Sequence, residues 1–326
     1  MEISRRDFIK NILKLSSGVV ITGALGSLVA CDDEQESPPS TSNFETTQKS
    51  VPLPSPPDKA YLSVARGQDP ESLVQAAIDA LGSIEHFVKK GDDVIIKPNI
   101  CVAYHTYEYA ATTNPDVVGA LVKLCVGAGA RRVRVMDQPF GGTAEQAYER
   151  SGIAKAVKEA GGEMEVMSPI KFKKIAIPDG RDIKEWQVYI DAIDADVLIN
   201  VPIAKHHNLG RLTLGMKNLM GLILKRPEFH FNLGQRLADL TSLLRPELTV
   251  VDAVRILTNH GPTGGSLEDV KIMNTVIASH DILAADAYAA TLFGLAGFDI
   301  PAIRAGVEMG LGTIDLETVK VEEISI

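Results

Sequence analysis

Cysteine is scarce in this chain, with three in its 326 residues. A ferredoxin-type iron–sulfur site takes four thiolates, so this chain alone is predicted to bind no such cluster. Basic residues are outnumbered by acidic ones, 33 to 42, and a net charge of −9 argues against nucleic acid as a partner. The apolar run from Leu212 to Leu224 is too short to span a bilayer.

Cys101 and Cys125 remain once Cys31 is set aside as a candidate for lipid attachment. They could form one disulfide in an oxidising compartment. Because Cys125 lies in an apolar helical pattern, a buried free thiol is favoured, and the pairing of Cys101 with Cys125 stays open.

The N-terminus resembles a twin-arginine export signal. Arg5-Arg6 precedes a mildly apolar run over residues 15–30, and Leu28-Val29-Ala30-Cys31 resembles a lipobox. The alternative is a chance Arg-Arg pair before a core helix. An acylated Cys31 would hold the protein at the periplasmic face of a membrane, since each buried methylene contributes about 0.8 kcal/mol. Whether that membrane is inner or outer stays open.

Three segments follow from the composition. Residues 1–30 form the predicted lipoprotein signal. Residues 31–58 are rich in Ser, Thr, Pro and Glu and cannot bury enough apolar surface to order themselves, which predicts a disordered tether. Residues 59–326 have the composition of a globular domain with a sizeable core, and they are predicted to form a single α/β domain.

Strands and helices alternate through this domain. Strands are predicted over Ala60–Arg66, Asp92–Lys97, Arg132–Met136, Glu163–Ser168, Asp196–Val201, Leu248–Asp252, Met273–Ala278 and Val319–Ile324. Helices begin after the caps Asp69, Asn114 and Ser279, and another covers Gln235–Leu244. This order predicts a mostly parallel Rossmann-like sheet with helices on both faces. Two short strands, Lys173–Ile177 and Gln187–Ile190, flank a Pro-Asp-Gly turn and predict a small antiparallel insertion.

Polar side chains concentrate where these strands end. They are Lys97, Asn99, Asp137, Asn200, Lys205, His207 and Asp252. Ligands of such sheets bind outside the carboxyl ends of the strands, so we expect a shared cleft there. Lys217 and Asn218 lie in the apolar run Leu212–Leu224, predicted as one helix, where a lysine must be solvated, paired or bound to a ligand.

The predicted site is cationic. Lys97, Lys205 and Lys217 with the amides of Asn99 and Asn218 suit a carboxylate or phosphate, and Asp137 and Asp252 are further ligand-binding candidates. Alternatively, the lysines form internal ion pairs with Asp137 or Asp252. Lys205, His207 and Lys217 are the predicted catalytic residues. His207 could move a proton, ligate a metal with one of the aspartates, or simply be hydrogen-bonded.

Other polar segments are predicted to be turns or loops rather than parts of the site. The glycines of the loop over residues 138–143 could bring backbone amides to an anion, but a turn is favoured. His105, His230 and His260 are expected to be solvated or to brace loops.

Several motifs together resemble the domain of unknown function 362 family. They are Ile96-Lys97-Pro98-Asn99, Thr112-Thr113-Asn114-Pro115, Asp196 to Pro202, Lys205-His206-His207, Met216 to Gly221, Val251-Asp252 and His260-Gly261-Pro262 with Gly264. The family usually has Lys-Thr-His where this chain has Lys205-His206-His207. The resemblance implies no activity. Family members often add a ferredoxin-like segment, which this chain lacks.

Two functions are compatible with this sequence. The first is a membrane-anchored protein that binds a small anionic ligand, with an enzymatic Lys/His site as one form of it. The second is a non-catalytic accessory lipoprotein of an iron–sulfur or metallocofactor redox system, with a redox protein as its partner. Whether the protein is an enzyme, and which cofactor it uses, are left open.

Overall fold

The structure is a computed structural model that describes residues 59–326. The predicted signal, Cys31 and the predicted tether lie outside the described residues. Within residues 59–326, no helix is long and apolar enough to cross a membrane.

The predicted strands form in the predicted order, and two further strands, Ile203–His207 and Arg211–Thr213, were not predicted. The strands are β1 (Leu62–Arg66), β2 (Asp93–Pro98), β3 (Arg132–Val135), β4 (Glu163–Met164), β5 (Phe172–Ala176), β6 (Glu185–Tyr189), β7 (Val197–Val201), β8 (Ile203–His207), β9 (Arg211–Thr213), β10 (Leu248–Leu257), β11 (Val270–Ser279) and β12 (Val321–Ser325). The main sheet runs β12-β1-β11-β10-β7-β2-β3-β4, with β8 beside β10 and β9 beside β8. Strands β5 and β6 form the predicted antiparallel insertion.

Most neighbouring strands in the main sheet are parallel. Strands β10, β7, β2, β3 and β4 pair in parallel in that order, as do β12 with β1 and β8 with β10. Strand β11 is antiparallel to both β1 and β10, and β9 is antiparallel to β8. The fold is therefore the predicted α/β class, with a mostly parallel sheet.

Helices cover both faces of the sheet. They are α1 (Pro70–Ala80), α2 (Pro115–Gly127), α3 (Ala144–Arg150), α4 (Ile153–Glu159), α5 (Ile190–Asp194), α6 (Gly215–Asn218), α7 (Arg226–Phe229), α8 (Leu233–Leu244), α9 (Ile282–Thr291) and α10 (Pro301–Glu308). Helices α1, α2 and α4 pack in one apolar core, and α8, α9 and α10 pack in the other. Asp69 and Asn114 cap α1 and α2 as predicted, whereas Asp281 rather than Ser279 caps α9.

The prediction of one helix over Leu212–Leu224 is wrong. Its first residues pair with β8 as strand β9, α6 is four residues long, and a 3₁₀ turn follows over Leu219–Leu222. The break has a physical cause, because the Asp286 carboxylate accepts the backbone N–H groups of Gly215 and Met216 at 2.6 and 2.9 Å and so starts a new helix there. Burial raises the pKa of Asp286 to about 7.

Two other boundaries differ from the prediction. Lys205 to His207 belong to strand β8 rather than to the segment after a strand, because β9 folds back against them. Strand β4 ends at Met164, well before the predicted Ser168, because only two of its residues pair with β3.

Candidate functional site

A cleft of about 790 Å³ opens beside the carboxyl ends of β2 and β3. The predicted residues that line it are Lys97, Asn99, Asp137, Lys205, His207, Lys217 and Asn218. Arg226, His230, Cys101 and Gln138 line it as well. The parallel sheet thus brings together side chains that lie far apart along the chain. Lys97 and Lys217, for example, line the same cleft.

Lys97 forms an internal ion pair at the floor of the cleft. Its Nζ lies 2.8 Å from Asp137 Oδ1, and both side chains are buried. The other carboxylate oxygen, Asp137 Oδ2, accepts the Ile100 N–H at 2.6 Å. Burial lowers the pKa of Lys97, and Asp137 opposes this shift. The ion-pair alternative therefore describes Lys97.

Gly221 makes room for this pair. A Cβ added there would lie 1.9 Å from Asp137 Oδ1 and 2.6 Å from Lys97 Cε. Any side chain at this position would have to displace one of the two charged groups.

Asn218 connects α6 to the strand ends. Its Oδ1 accepts hydrogen bonds from Lys97 Nζ at 2.8 Å and Asn99 Nδ2 at 2.9 Å. Its Nδ2 donates to the Lys97 carbonyl at 3.1 Å and to Asn200 Oδ1 at 2.9 Å. All four hydrogen-bonding positions of the amide are used within the protein, so Asn218 holds the site together rather than facing a ligand.

Lys205 is buried and bound to neutral oxygens. Its Nζ donates to Asn99 Oδ1 at 3.0 Å and to the Ala111 carbonyl at 2.5 Å. Burial lowers the pKa of Lys205, and the neighbouring Cys101 opposes this shift. No carboxylate of residues 59–326 pairs with it, so its charge contributes positive potential to the cleft.

Lys217 has no partner at all among residues 59–326. No oxygen in that range accepts a hydrogen bond from its Nζ, and no carboxylate lies within ion-pairing distance. Burial and the positive charges of Lys205 and Arg226 lower the pKa of Lys217 to about 7. The Lys217 amine is therefore free to contact a ligand.

Two neutral imidazoles stack at the edge of the cleft. The rings of His207 and His230 are 20° from parallel, with centroids 6.3 Å apart. His207 Nδ1 accepts the N–H groups of Leu209 and Gly210 at 3.1 and 3.2 Å, which places its proton on Nε2. His230 Nδ1 donates to the Arg226 carbonyl at 2.6 Å, which leaves a lone pair on Nε2. The Nε2 of His207 is thus a hydrogen-bond donor, and the Nε2 of His230 is an acceptor.

Burial and the positive charge of Lys217 keep both rings neutral. They lower the pKa of His207 to about 3 and lower that of His230 as well. His207 is therefore suited to donate a hydrogen bond rather than to take up a proton.

Sequence reasoning missed Arg226 and the position of His230. Arg226 donates to the carbonyls of Gln138 and Pro139 at 2.8 and 3.2 Å, which leaves further N–H groups of its guanidinium uncommitted. Both residues lie in or beside α7, whose four residues show no helical periodicity. The Arg226-Pro227 step, with proline in the first turn, was the available signal.

Asp252 does not line the cleft, in contrast to its prediction as a ligand-binding residue. Its carboxylate accepts the N–H groups of Asn114 and Val254 at 2.7 and 3.0 Å and is completely buried. Burial raises the pKa of Asp252 to about 6. Asp252 thus braces the segment before α2, and nearby Thr113 does the same by donating to the Val201 carbonyl at 2.9 Å.

His206 faces away from His207, as alternation along a strand requires. Its Nδ1 accepts the Gly261 N–H at 3.1 Å, so it braces the loop that contains Pro262. Asn200 donates to the Gly215 carbonyl at 3.0 Å and supports α6.

The two cysteines of residues 59–326, Cys101 and Cys125, are both free and buried. Cys101 Sγ lies 3.5 Å from the Pro262 carbonyl at the cleft wall, and burial raises the pKa of both thiols. Within residues 59–326, no group of three or more His, Cys, Asp or Glu side chains is placed to hold a metal ion.

The fold and this geometry define an α/β protein with a cationic cleft at the carboxyl edge of its sheet. The model of the domain of unknown function 362 family matches residues 94–291, and the chain belongs to that family. It is 26% identical over 253 residues to a thylakoid-associated protein of Synechocystis sp., covering 73% of this chain and 74% of that protein.

Two solved structures resemble the chain more distantly. One is the lactate racemase apoprotein from Thermoanaerobacterium thermosaccharolyticum, with a TM-score of 0.42 and 11% identity over 71% of this chain. The other is a protein from Thermotoga maritima, with a TM-score of 0.44 and 14% identity over 70% of this chain. The chain spans 57% and 60% of the lengths of these two proteins.

Proposed function

We propose that the cleft binds a small organic anion, a carboxylate or a phosphate. The observation that carries this proposal is the set of cations without a carboxylate partner among residues 59–326: Lys205, Lys217 and Arg226. Such charges lie at one surface of a protein whose net charge is −9, so the cleft is a local exception to the acidic whole. An anion there would offset the cost of keeping these charges out of water.

Each residue has a different part in this proposal. Lys217 and the uncommitted N–H groups of Arg226 contact the anion, and the Nε2–H of His207 donates a further hydrogen bond. Lys97, Asn99, Asp137 and Asn218 hold the framework, because their polar atoms are already engaged with one another.

We further propose that the protein works at a membrane surface on the periplasmic side, held by an acylated Cys31. The twin-arginine and lipobox patterns support this location. The Synechocystis relative, named for its association with thylakoids, also supports a membrane setting. The second candidate function is a non-catalytic accessory lipoprotein of an iron–sulfur or metallocofactor redox system, with a redox protein as its partner, and the experiment below tests anion binding against it.

The test is thermal unfolding of the full chain with a panel of carboxylates and phosphates. We expect at least one anion to raise the melting temperature, because it binds only the folded state. Replacing Lys217 by Met should weaken the binding of that anion by about 1.5 to 3 kcal/mol, the contribution of a hydrogen bond to a charged group. Arg226→Gln should weaken its binding by a similar amount.

The control is the stability of the Lys217→Met protein without ligand. No carboxylate of residues 59–326 loses a partner in this variant, so its melting temperature should not fall. A loss of about 3 to 5 kcal/mol would instead indicate an internal ion pair. Such a loss, with a parent protein that no anion in the panel stabilises, would contradict the proposal and favour an accessory protein.

A further inference from the structure

We propose that the Lys217 amine forms an imine with its ligand, and that the ligand is an α-keto acid. This rests on the proposed anion-binding function and goes further by naming the reacting group and the substrate class. The inference depends on the arrangement of the cleft: one uncommitted amine among fixed cations, beside a neutral imidazole donor.

Lys217 is half-buried, and it differs from the buried Lys97 and Lys205 in what its Nζ contacts. Lys97 Nζ has three oxygens at 2.8 Å, from Pro98, Asn218 and Asp137. Lys205 Nζ is held by Asn99 and Ala111. These oxygens accept the protons of Lys97 and Lys205 and so favour their ammonium forms, which are not nucleophilic. Among the three, only Lys217 lacks such acceptors and is available as a nucleophile.

The surroundings favour the neutral amine of Lys217. Lys205, Arg226 and Lys97 all add positive charge near it, and burial removes water from its ammonium form. A desolvated lysine beside other cations is the known arrangement for an amine that attacks carbonyl groups. With a pKa of about 7, a large part of the amine is unprotonated at neutral pH.

The addition balances without an oxidant or a metal. The nitrogen lone pair forms the C–N bond while the carbonyl electrons move to oxygen, and one N–H proton moves to that oxygen. The hydroxyl then leaves with the second N–H proton as water, and a C=N bond remains. The Nε2–H of His207 is suited to donate a hydrogen bond to the oxygen on which negative charge develops.

The substrate class follows from the two kinds of group that meet here. A carbonyl must be present for the amine, and an anion must be present for Arg226 and Lys205. These cations are near enough to Lys217 to affect its pKa, so the carbonyl and the carboxylate must be close together in the ligand. An α-keto acid has them on adjacent carbons.

The test is reductive trapping of the full chain. The protein is incubated with glyoxylate, pyruvate or phenylpyruvate in the presence of sodium borohydride, and intact and peptide masses are measured. We expect one reduced adduct on the peptide that contains Lys217. Lys217→Arg keeps the positive charge but should lose the adduct. Lys225→Arg is the matched control and should keep the adduct. Lys225 lines the same cleft, but its side chain is exposed and its Nζ lies 4.0 Å from Glu228 Oε2.

The outcomes separate the two proposals. If the keto acids raise the melting temperature but none of the three is trapped on Lys217, the imine is wrong and anion binding stands. An adduct that persists in Lys217→Arg also overturns the imine proposal. If no anion, keto acid or otherwise, changes the melting temperature and nothing is trapped, both proposals fail.

Discussion

Three lysines of the cleft, the buried Lys97 and Lys205 and the half-buried Lys217, show how the contacts of one atom decide a residue's role. All three have a pKa lowered by burial. Lys97 is compensated by a carboxylate, Lys205 by an amide and a backbone carbonyl, and Lys217 by nothing among residues 59–326. Because a partly desolvated charge without a partner is costly, a bound anion should stabilise the Lys217 ammonium more than it stabilises the other two.

His207 allows a test of these charge arguments at one residue. Its pKa is about 3 in the folded protein and near 6.5 in the unfolded chain. Between these values the unfolded chain binds more protons, so the stability that depends on His207 is lost as pH falls from 6.5 towards 3. His207→Asn removes the titration and should show a smaller loss of unfolding free energy over this range. Urea unfolding at several pH values measures it.

The choice of asparagine matters for this experiment. Its Oδ1 takes the place of Nδ1 and can still accept the Leu209 and Gly210 N–H groups, so the variant should fold normally. His207→Gln places its oxygen one bond further out, so the Leu209 and Gly210 N–H groups lose this acceptor, and the variant should be less stable than His207→Asn. Equal acid sensitivity in the parent and the asparagine variant would show that His207 is not the titrating group.

At the scale of elements, the short helix α6 and the turn after it form the wall of the cleft. The Asp286 carboxylate fixes the start of α6, Asn218 ties its end to β2 and β7, and Gly221 lies against the Lys97–Asp137 pair. In a regular helix over Leu212–Leu224 the Met216 N–H would donate to the Leu212 carbonyl and would not be available to Asp286. The irregular wall is therefore what places Lys217 at the cleft.

Gly221→Ala should be strongly destabilising. The new Cβ would lie 1.9 Å from Asp137 Oδ1, so the ion pair with Lys97 must break or the turn must move. Breaking a buried pair costs about 3 to 5 kcal/mol. Urea unfolding measures the loss.

Gly127→Ala is the matched control for this substitution. Nothing lies within 4 Å of a Cβ at Gly127 in α2, and alanine is the better helix former by about 1 kcal/mol. This variant should be as stable as the parent or more stable. A Gly221→Ala protein with parental stability would mean that the close packing around Asp137 is not maintained in solution.

At the scale of the whole molecule, the proposed anchor and the cleft can be tested separately. Cys31→Ser should move the protein from the membrane fraction to the soluble fraction, because the acyl chains supply the membrane affinity. Mass spectrometry of the mature N-terminus checks the modification directly. Cys125→Ala is the control, since Cys125 is buried in α2 and should not affect the location. An unmodified Cys31 in soluble parent protein would contradict the anchoring proposal.

The sequence alone determined the parts of this protein that depend on local periodicity. Capping residues and apolar patterns predicted α1, α2, β2, β3 and β7 nearly to the residue, because the signals for these elements lie within the elements themselves. The position of Lys97, Lys205 and His207 at predicted strand ends, and of Lys217 in an apolar run, also predicted that these four residues would line one cleft.

The tertiary structure alone decided which of these residues are free. Whether a lysine is paired depends on carboxylates and carbonyls from distant parts of the chain, such as Asp137 for Lys97 and Ala111 for Lys205. The same is true of α6, which starts where Asp286 reaches it from α9. Asp252 was predicted at the site, but its carboxylate oxygens instead accept hydrogen bonds from two backbone N–H groups. No periodicity of the sequence indicates such long-range contacts, because they depend on how the elements pack rather than on the order of neighbouring residues.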